Sequence, residues 1–172
     1  MLERLRRLLP AAWLGLLGCI AFVAAPASFA VIARADAGRV NGRIFQIEAW
    51  ISIGAALLLW LLERARARRA AAAGQGSVLS TEMVLLLGTL LATLLAAYGV
   101  QPMIEAARGG QPMPLGFGTL HAVSVGLFGL KLLLVAVLAW RAAAARCGYR
   151  PRRPRAAARK TFPALRPPGR SR

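Results

Sequence analysis

Four long apolar runs, residues 8–32, 44–62, 79–100 and 117–140, leave this chain few folds to choose among. They hold 25, 19, 22 and 24 residues. A helix rises about 1.5 Å per residue and the hydrocarbon core of a bilayer is about 30 Å thick. Every run is therefore long enough to cross, the shortest reaching about 28 Å. In lipid, backbone amides must be satisfied within their own segment, so runs of this kind become helices. The expected fold is all-α: a four-span transmembrane helical bundle over residues 8–141, followed by a basic tail at 142–172. A soluble domain of 172 residues has no use for 58% apolar sequence arranged so continuously.

A formal charge of +17 invites a nucleic-acid reading, but the distribution of the cations points to topology instead. Of the 23 Lys and Arg, three precede the first span, four lie between the second and third, and eleven follow the fourth, eighteen in all. The other two connections carry only Arg34, Arg39, Arg43 and Arg108, and Lys131 is inside a span. Short basic loops stay cytoplasmic, which places both termini on that side of a bacterial inner membrane. Trp60 and Trp140, each followed by cations, mark the cytoplasmic boundary.

The N-terminus resembles a secretory signal, with Arg4, Arg6 and Arg7 ahead of an apolar run and Cys19 in a lipoprotein-like setting. The run continues to Ile32, past the usual ~7–15-residue signal core, which favours an uncleaved first span. Pro26 is expected to kink that span near its outer end. Residues 33–43, with Gly38, Asn41 and Gly42, read as a compact external turn, and 101–116, rich in Pro and Gly, as the most irregular external element. The tail lacks apolar periodicity and is expected to be disordered. Cys19 and Cys147 lie at different depths, so no disulfide is expected.

Small and weakly polar residues at helical spacing suggest packing faces: Gly15, Cys19 and Phe22 on the first span, Glu48, Ser52 and Ala56 on the second, and Glu82, Leu86, Thr89, Thr93 and Ala96 on the third. Ionisable groups in a bilayer are costly and turn toward the bundle interior. His121, Ser124 and Lys131 are read as sharing one face of the fourth span. Glu48 and His121 each lie four residues in from the outer starts of their spans, about 6 Å deep. Equal depth predicts a Glu48–His121 pair, with Ser124 one turn deeper. Lys131 and Glu82 differ in depth by about 9 Å. Glu82 reads better as a helix-start carboxylate, with Ser80 or Thr81 as the cap.

Glu48, His121, Ser124 and Lys131 thus form the candidate intramembrane polar site, with no catalytic residue and no metal site assigned. A lone histidine excludes a multi-histidine metal site within one protomer, and Cys19, Met103 and Met113 share no ligand spacing. No cofactor is expected. There is no phosphate-binding glycine loop, nucleophile elbow or zinc-hydrolase motif, so no enzymatic reaction is expected. The tail reads first as a topology anchor and next as a ligand for anionic lipid headgroups. Nucleic acid is not expected as a partner, because stacking aromatics are nearly absent.

The segment from Phe22 through Pro26 and Phe29, with Ala37-Gly38, Gly42 and Phe45, together with Phe117-Gly118-Thr119-Leu120-His121-Ala122-Val123-Ser124, resembles the transmembrane protein 205-like family, also known as domain of unknown function 4149. The resemblance spans residues 8–141 and implies a small four-helix membrane protein of largely undefined role. It marks Pro26, Phe29, Gly38 and Phe117 as structural motif residues and matches at His121 and Ser124. Phe128 departs from it, standing where the family pattern often has Asn, seven residues after the histidine. The outline is also similar to copper-resistance D-type membrane proteins, which by itself implies no copper. The functional expectation is an integral membrane protein with an intramembrane polar pair. Its rivals are a transport component acting as a homo-oligomer and a haem- or metal-binding membrane protein.

Overall fold

The computed structural model describes residues 2–74 and 79–147, and every regular element among them is helical. Helix α1 is Leu2–Cys19 and α2 is Ala25–Val31, joined by a π-helical turn at Ile20–Ala24. Helix α3 is Arg34–Ala72. Helix α4, Thr81–Leu94, passes through a second π turn, Leu95–Val100, into α5, Gln101–Arg108. Helix α6 is Phe117–Cys147. Four stretches are long and apolar enough to cross a membrane: Glu3–Val31, Arg34–Ala72, Thr81–Arg108 and Phe117–Ala144.

Side-chain pairs between spans show that neighbours run antiparallel. Arg6, at the start of α1, reaches Glu63 near the end of α3, and Glu82, at the start of α4, meets Arg141 near the end of α6. These residues define one end of the bundle, the basic end. At the opposite end Ser28 accepts from Asn41, and Arg108 donates to Gly38. Helix α6 packs on both α1 and α4, and α4 also packs on α3.

The core is a closed cluster of Trp13, Leu17, Ala56, Leu59, Leu86, Val135 and Leu138, drawn from all four spans. Around it the large apolar side chains point outward, among them Trp50, Leu61, Leu91, Leu133 and Trp140. Water does not tolerate so continuous an apolar exterior, whereas lipid tails are as apolar as leucine.

Both π turns stand just upstream of a proline. Each ends two residues ahead of Pro26 or Pro102, which then occupies the first turn of the next α-helix. A proline inside a helix lacks a donor and clashes with the carbonyl four residues back. Widening the preceding turn is one way to accommodate that clash, and π turns are a recognised origin of helix bends. The break expected at Pro26 is thus a π insertion, repeated in the third span.

Two connections differ from their sequence reading. Residues 33–43 are no turn, because α3 begins at Arg34. Gly38 and Gly42 face the third span inside that helix. A Cβ on Gly38 would come within 3.1 Å of Arg108 Nη2, and one on Gly42 within 3.2 Å of Gln101 Nε2. Glycine serves close approach here, not reversal. The irregular segment expected at 101–116 is helical through Arg108, so only 109–116 lies between helices. At the other end α6 runs on to Cys147, and the tail from 148 lies outside the described residues.

The packing face expected on the first span is also corrected. Gly15, Cys19 and Phe22 face away from the bundle, Phe22 being 74% exposed, while Trp13, Leu17 and Ile20 are buried. Large side chains win that interface because they fill more of the core. On α3, Glu48, Ser52 and Ala56 are buried together, as are Leu86, Thr89 and Thr93 on α4.

Candidate functional site

An ion pair lies in the middle of the bundle. Lys131 Nζ on α6 donates to Glu48 Oε2 on α3 at 2.6 Å. The two residues are only 3% and 2% exposed. The other carboxylate oxygen, Oε1, accepts from the Ser52 hydroxyl one turn along α3. Ser52 Oγ in turn accepts from Trp13 Nε1 at 2.9 Å. A single polar chain, Trp13–Ser52–Glu48–Lys131, therefore joins three spans, and both carboxylate oxygens are engaged.

Aromatic groups complete the lysine's surroundings. Lys131 Nζ is 4.9 Å from the centroid of the Phe128 ring, within cation–π range. Phe128 meets Phe45 of α3 edge to face, with centroids 5.3 Å apart. The phenylalanine that departs from the expected family pattern thus packs against the buried ammonium.

The pairing departs from the sequence expectation of Glu48 with His121. Equal depth for Glu48 and His121 follows only from the hydropathic start of the second span, and α3 begins ten residues earlier, at Arg34. Glu48 is fourteen residues beyond Arg34, and Lys131 is fourteen beyond Phe117, so these two are level along helices that start at the same end. The azimuth matters as well. Ten residues at 100° leave His121 about 80° around α6 from Lys131, whereas Leu120, eleven residues before Lys131, is only about 20° off. Leu120 is accordingly buried and His121 exposed. The His121 ring stacks on Phe117 at 6.1 Å, and the Arg108 guanidinium lies 5.7 Å from the same Phe117 ring. Ser124 is half-buried on α6. The structure brings together Glu48 and Lys131 of the four expected polar-site residues, adds Ser52 and Trp13, and leaves His121 outside.

The remaining motif residues lie toward the end opposite the basic one. Pro26 stands in the first turn of α2 behind the π turn, and Phe29 is exposed. Gly38 supports Arg108, and Phe117 starts α6. Glu82 is the helix-start carboxylate the sequence suggests, with Ser80 as N-cap accepting from the Met83 amide at 3.3 Å. It also accepts from Arg141 Nη2 at 2.8 Å, a contact between spans that local reading does not reach. Among the described residues no three His, Cys, Asp or Glu side chains gather into a metal-binding group.

Chemically, the central chain offers one carboxylate and one ammonium shielded from water. A proton arriving at Glu48 would cancel the attraction and leave Lys131 against the face of Phe128 alone.

Residues 8–111 match the model of a family described as Domain of unknown function (DUF4149). The match includes Trp13, Pro26, Phe29, Gly38, Glu48 and Ser52 and stops before α6, so Phe117, His121, Ser124 and Lys131 lie beyond it. The resemblance read as far as residue 141 is therefore carried by the first three spans. No curated protein and no solved structure matches the chain.

Proposed function

The chain belongs to the DUF4149 family, and from that premise we propose that it is a proton-responsive component of small-solute or ion transport, a homo-oligomer in which each protomer encloses its own Glu48–Lys131 pair. The observation that carries this reading is the 2.6 Å ion pair closed inside four apolar spans. A buried ion pair adds little net stability over apolar residues of similar volume. Charges within membrane spans mark functional positions by default. Protonation of Glu48 and release of Lys131 supply the alternation that coupled transport needs. The core cluster of Leu17, Leu59, Leu86, Val135 and Leu138 fills the bundle axis, so the route for a solute lies between copies of the chain.

The same reading places the protein in a bacterial inner membrane with both termini cytoplasmic, on the strength of the cation distribution. The basic end of the bundle then faces the cytoplasm. A reporter enzyme fused to the C-terminus that proved active only in the periplasm would reverse this orientation.

A structural pin is the second reading, favoured by the polar chain that ties three spans through Trp13, Ser52, Glu48 and Lys131. Proton flux into liposomes separates the two. The expected result is faster dissipation of an imposed pH gradient than in empty vesicles, abolished by Glu48→Gln and by the double change Glu48→Gln/Lys131→Met. A folded double variant with undiminished flux makes the pair a pin, and wild-type vesicles as tight as empty ones to protons and to a panel of small ions end the transport reading.

A further inference from the structure

The four spans do not close completely at the basic end. A cavity of about 330 Å³ opens there, within the ~300–1,000 Å³ range of small-ligand sites. Its floor is apolar, formed by Leu59, Leu86 and Leu138 of the core cluster. Its wall carries Arg6, Arg66 and Arg141 against Glu63 and Glu82, an excess of one cation. Arg6 Nη1 donates to Glu63 Oε1 at 2.5 Å, and Arg141 places Nε and Nη2 on one Glu82 oxygen at 3.0 and 2.8 Å. Arg66 is different: it stands 3.8 Å from Glu63, beyond hydrogen-bond range, and its side chain is 60% exposed. Its guanidinium fork is available to an incoming anion.

Arginine at such a site matches phosphate in shape and charge, since its planar fork can place two N–H groups on two oxygens at once. The neighbouring cations Arg64, Arg68 and Arg69 on the same stretch of α3 raise the local concentration of anions. The cavity sits where apolar spans give way to charge, which is the level of lipid headgroups. We propose that this cavity binds a phosphate-bearing anion between Arg66, Arg6 and Arg141, the headgroup of an anionic phospholipid being the source that best fits its apolar floor. The site is separate from the Glu48–Lys131 pair and holds whether or not that pair serves transport.

The test uses the full chain in nanodiscs of equal parts phosphatidylglycerol and phosphatidylcholine, with native mass spectrometry of the lipid retained on release. The wild type is expected to keep phosphatidylglycerol over phosphatidylcholine. Arg66→Gln is expected to lower that retention about tenfold, the effect of one charge-assisted arginine–phosphate contact. Arg68→Gln, at the same end but outside the cavity wall, and Arg39→Gln, at the opposite end, remove the same charge and are expected to change it less than about twofold. Ala142→Phe fills the cavity without altering charge and is expected to act like Arg66→Gln. Competition with inorganic phosphate identifies the source: displacement assigns the site to soluble phosphate, retention assigns it to lipid, and both uphold phosphate recognition. Equal losses for Arg66→Gln and Arg68→Gln, or full retention in Ala142→Phe, would show diffuse charge attraction and overturn the site.

Discussion

Arg108 Nη1 donates to the carbonyl oxygen of Gly38 at 2.9 Å, joining the end of the third span to the start of the second across seventy residues of sequence. The contact exists because Gly38 has no side chain. A Cβ there would stand 3.1 Å from Arg108 Nη2, too close by a few tenths of an ångström.

The neighbour in question is the tip of a flexible side chain, so it can yield. Gly38→Ala is expected to be close to neutral, since the helix propensity gained over glycine, about 1 kcal/mol, offsets the displaced guanidinium. Gly38→Leu has no such outlet and should destabilise by about 1–3 kcal/mol through overpacking. Thermal unfolding of the detergent-solubilised variants reads both, and equal tolerance of alanine and leucine would contradict the close approach.

For the central pair, single and double substitutions should differ in kind. Glu48→Gln or Lys131→Met alone leaves a buried charge without its partner and is expected to cost about 3–5 kcal/mol. The double variant removes both charges and should recover most of that loss. A double-mutant cycle in unfolding free energy measures the coupling, and additive single effects would mean that the two side chains do not meet.

His121→Leu should leave folding and membrane abundance nearly unchanged, within about 0.5 kcal/mol. The ring is exposed and stacks on Phe117 without a buried partner. Abundance in isolated membranes, measured by immunoblot, checks this; a severalfold loss would restore a structural role to the histidine.

The two ion pairs of the basic end should rank by burial. Arg6 and Glu63 have side chains only 11% and 6% exposed, whereas Arg141 and Glu82 are 44% and 25% exposed. Arg141→Gln is expected to cost less than about 1 kcal/mol, and less still in high salt. Arg6→Gln leaves the enclosed Glu63 carboxylate with only the longer 3.8 Å contact to Arg66 and should cost about 1–3 kcal/mol with weak salt dependence. Unfolding at low and high ionic strength compares the two, and the reverse order would refute the ranking.

Several features of this fold were legible along the chain because their causes are local. Span number follows from apolar length, since lipid satisfies no backbone amide outside a helix or closed barrel. The Ser80 cap and the Glu82 first-turn carboxylate were readable because capping involves residues only a few apart. The buried faces of α3 and α4 followed from their small and hydroxyl side chains. Gly38 and Gly42 were misread as a turn because glycine serves both reversal and close packing, and only the presence of Arg108 and Gln101 distinguishes the two. Trp13 carries no polar signal along the chain, since its indole N–H gains meaning only opposite Ser52.

Sequence alone determined that this is a four-span helical bundle and which ionisable groups its spans carry, because the bilayer acts on each segment separately. Tertiary structure decided which of those groups meet. Hydropathy does not register the polar first turns of α3, and those turns set the height of Glu48; a rotation of about 80° around α6 separates the exposed histidine from the buried lysine. Partner choice depends on the height and rotation of two helices at once, and both are set by how the whole bundle packs.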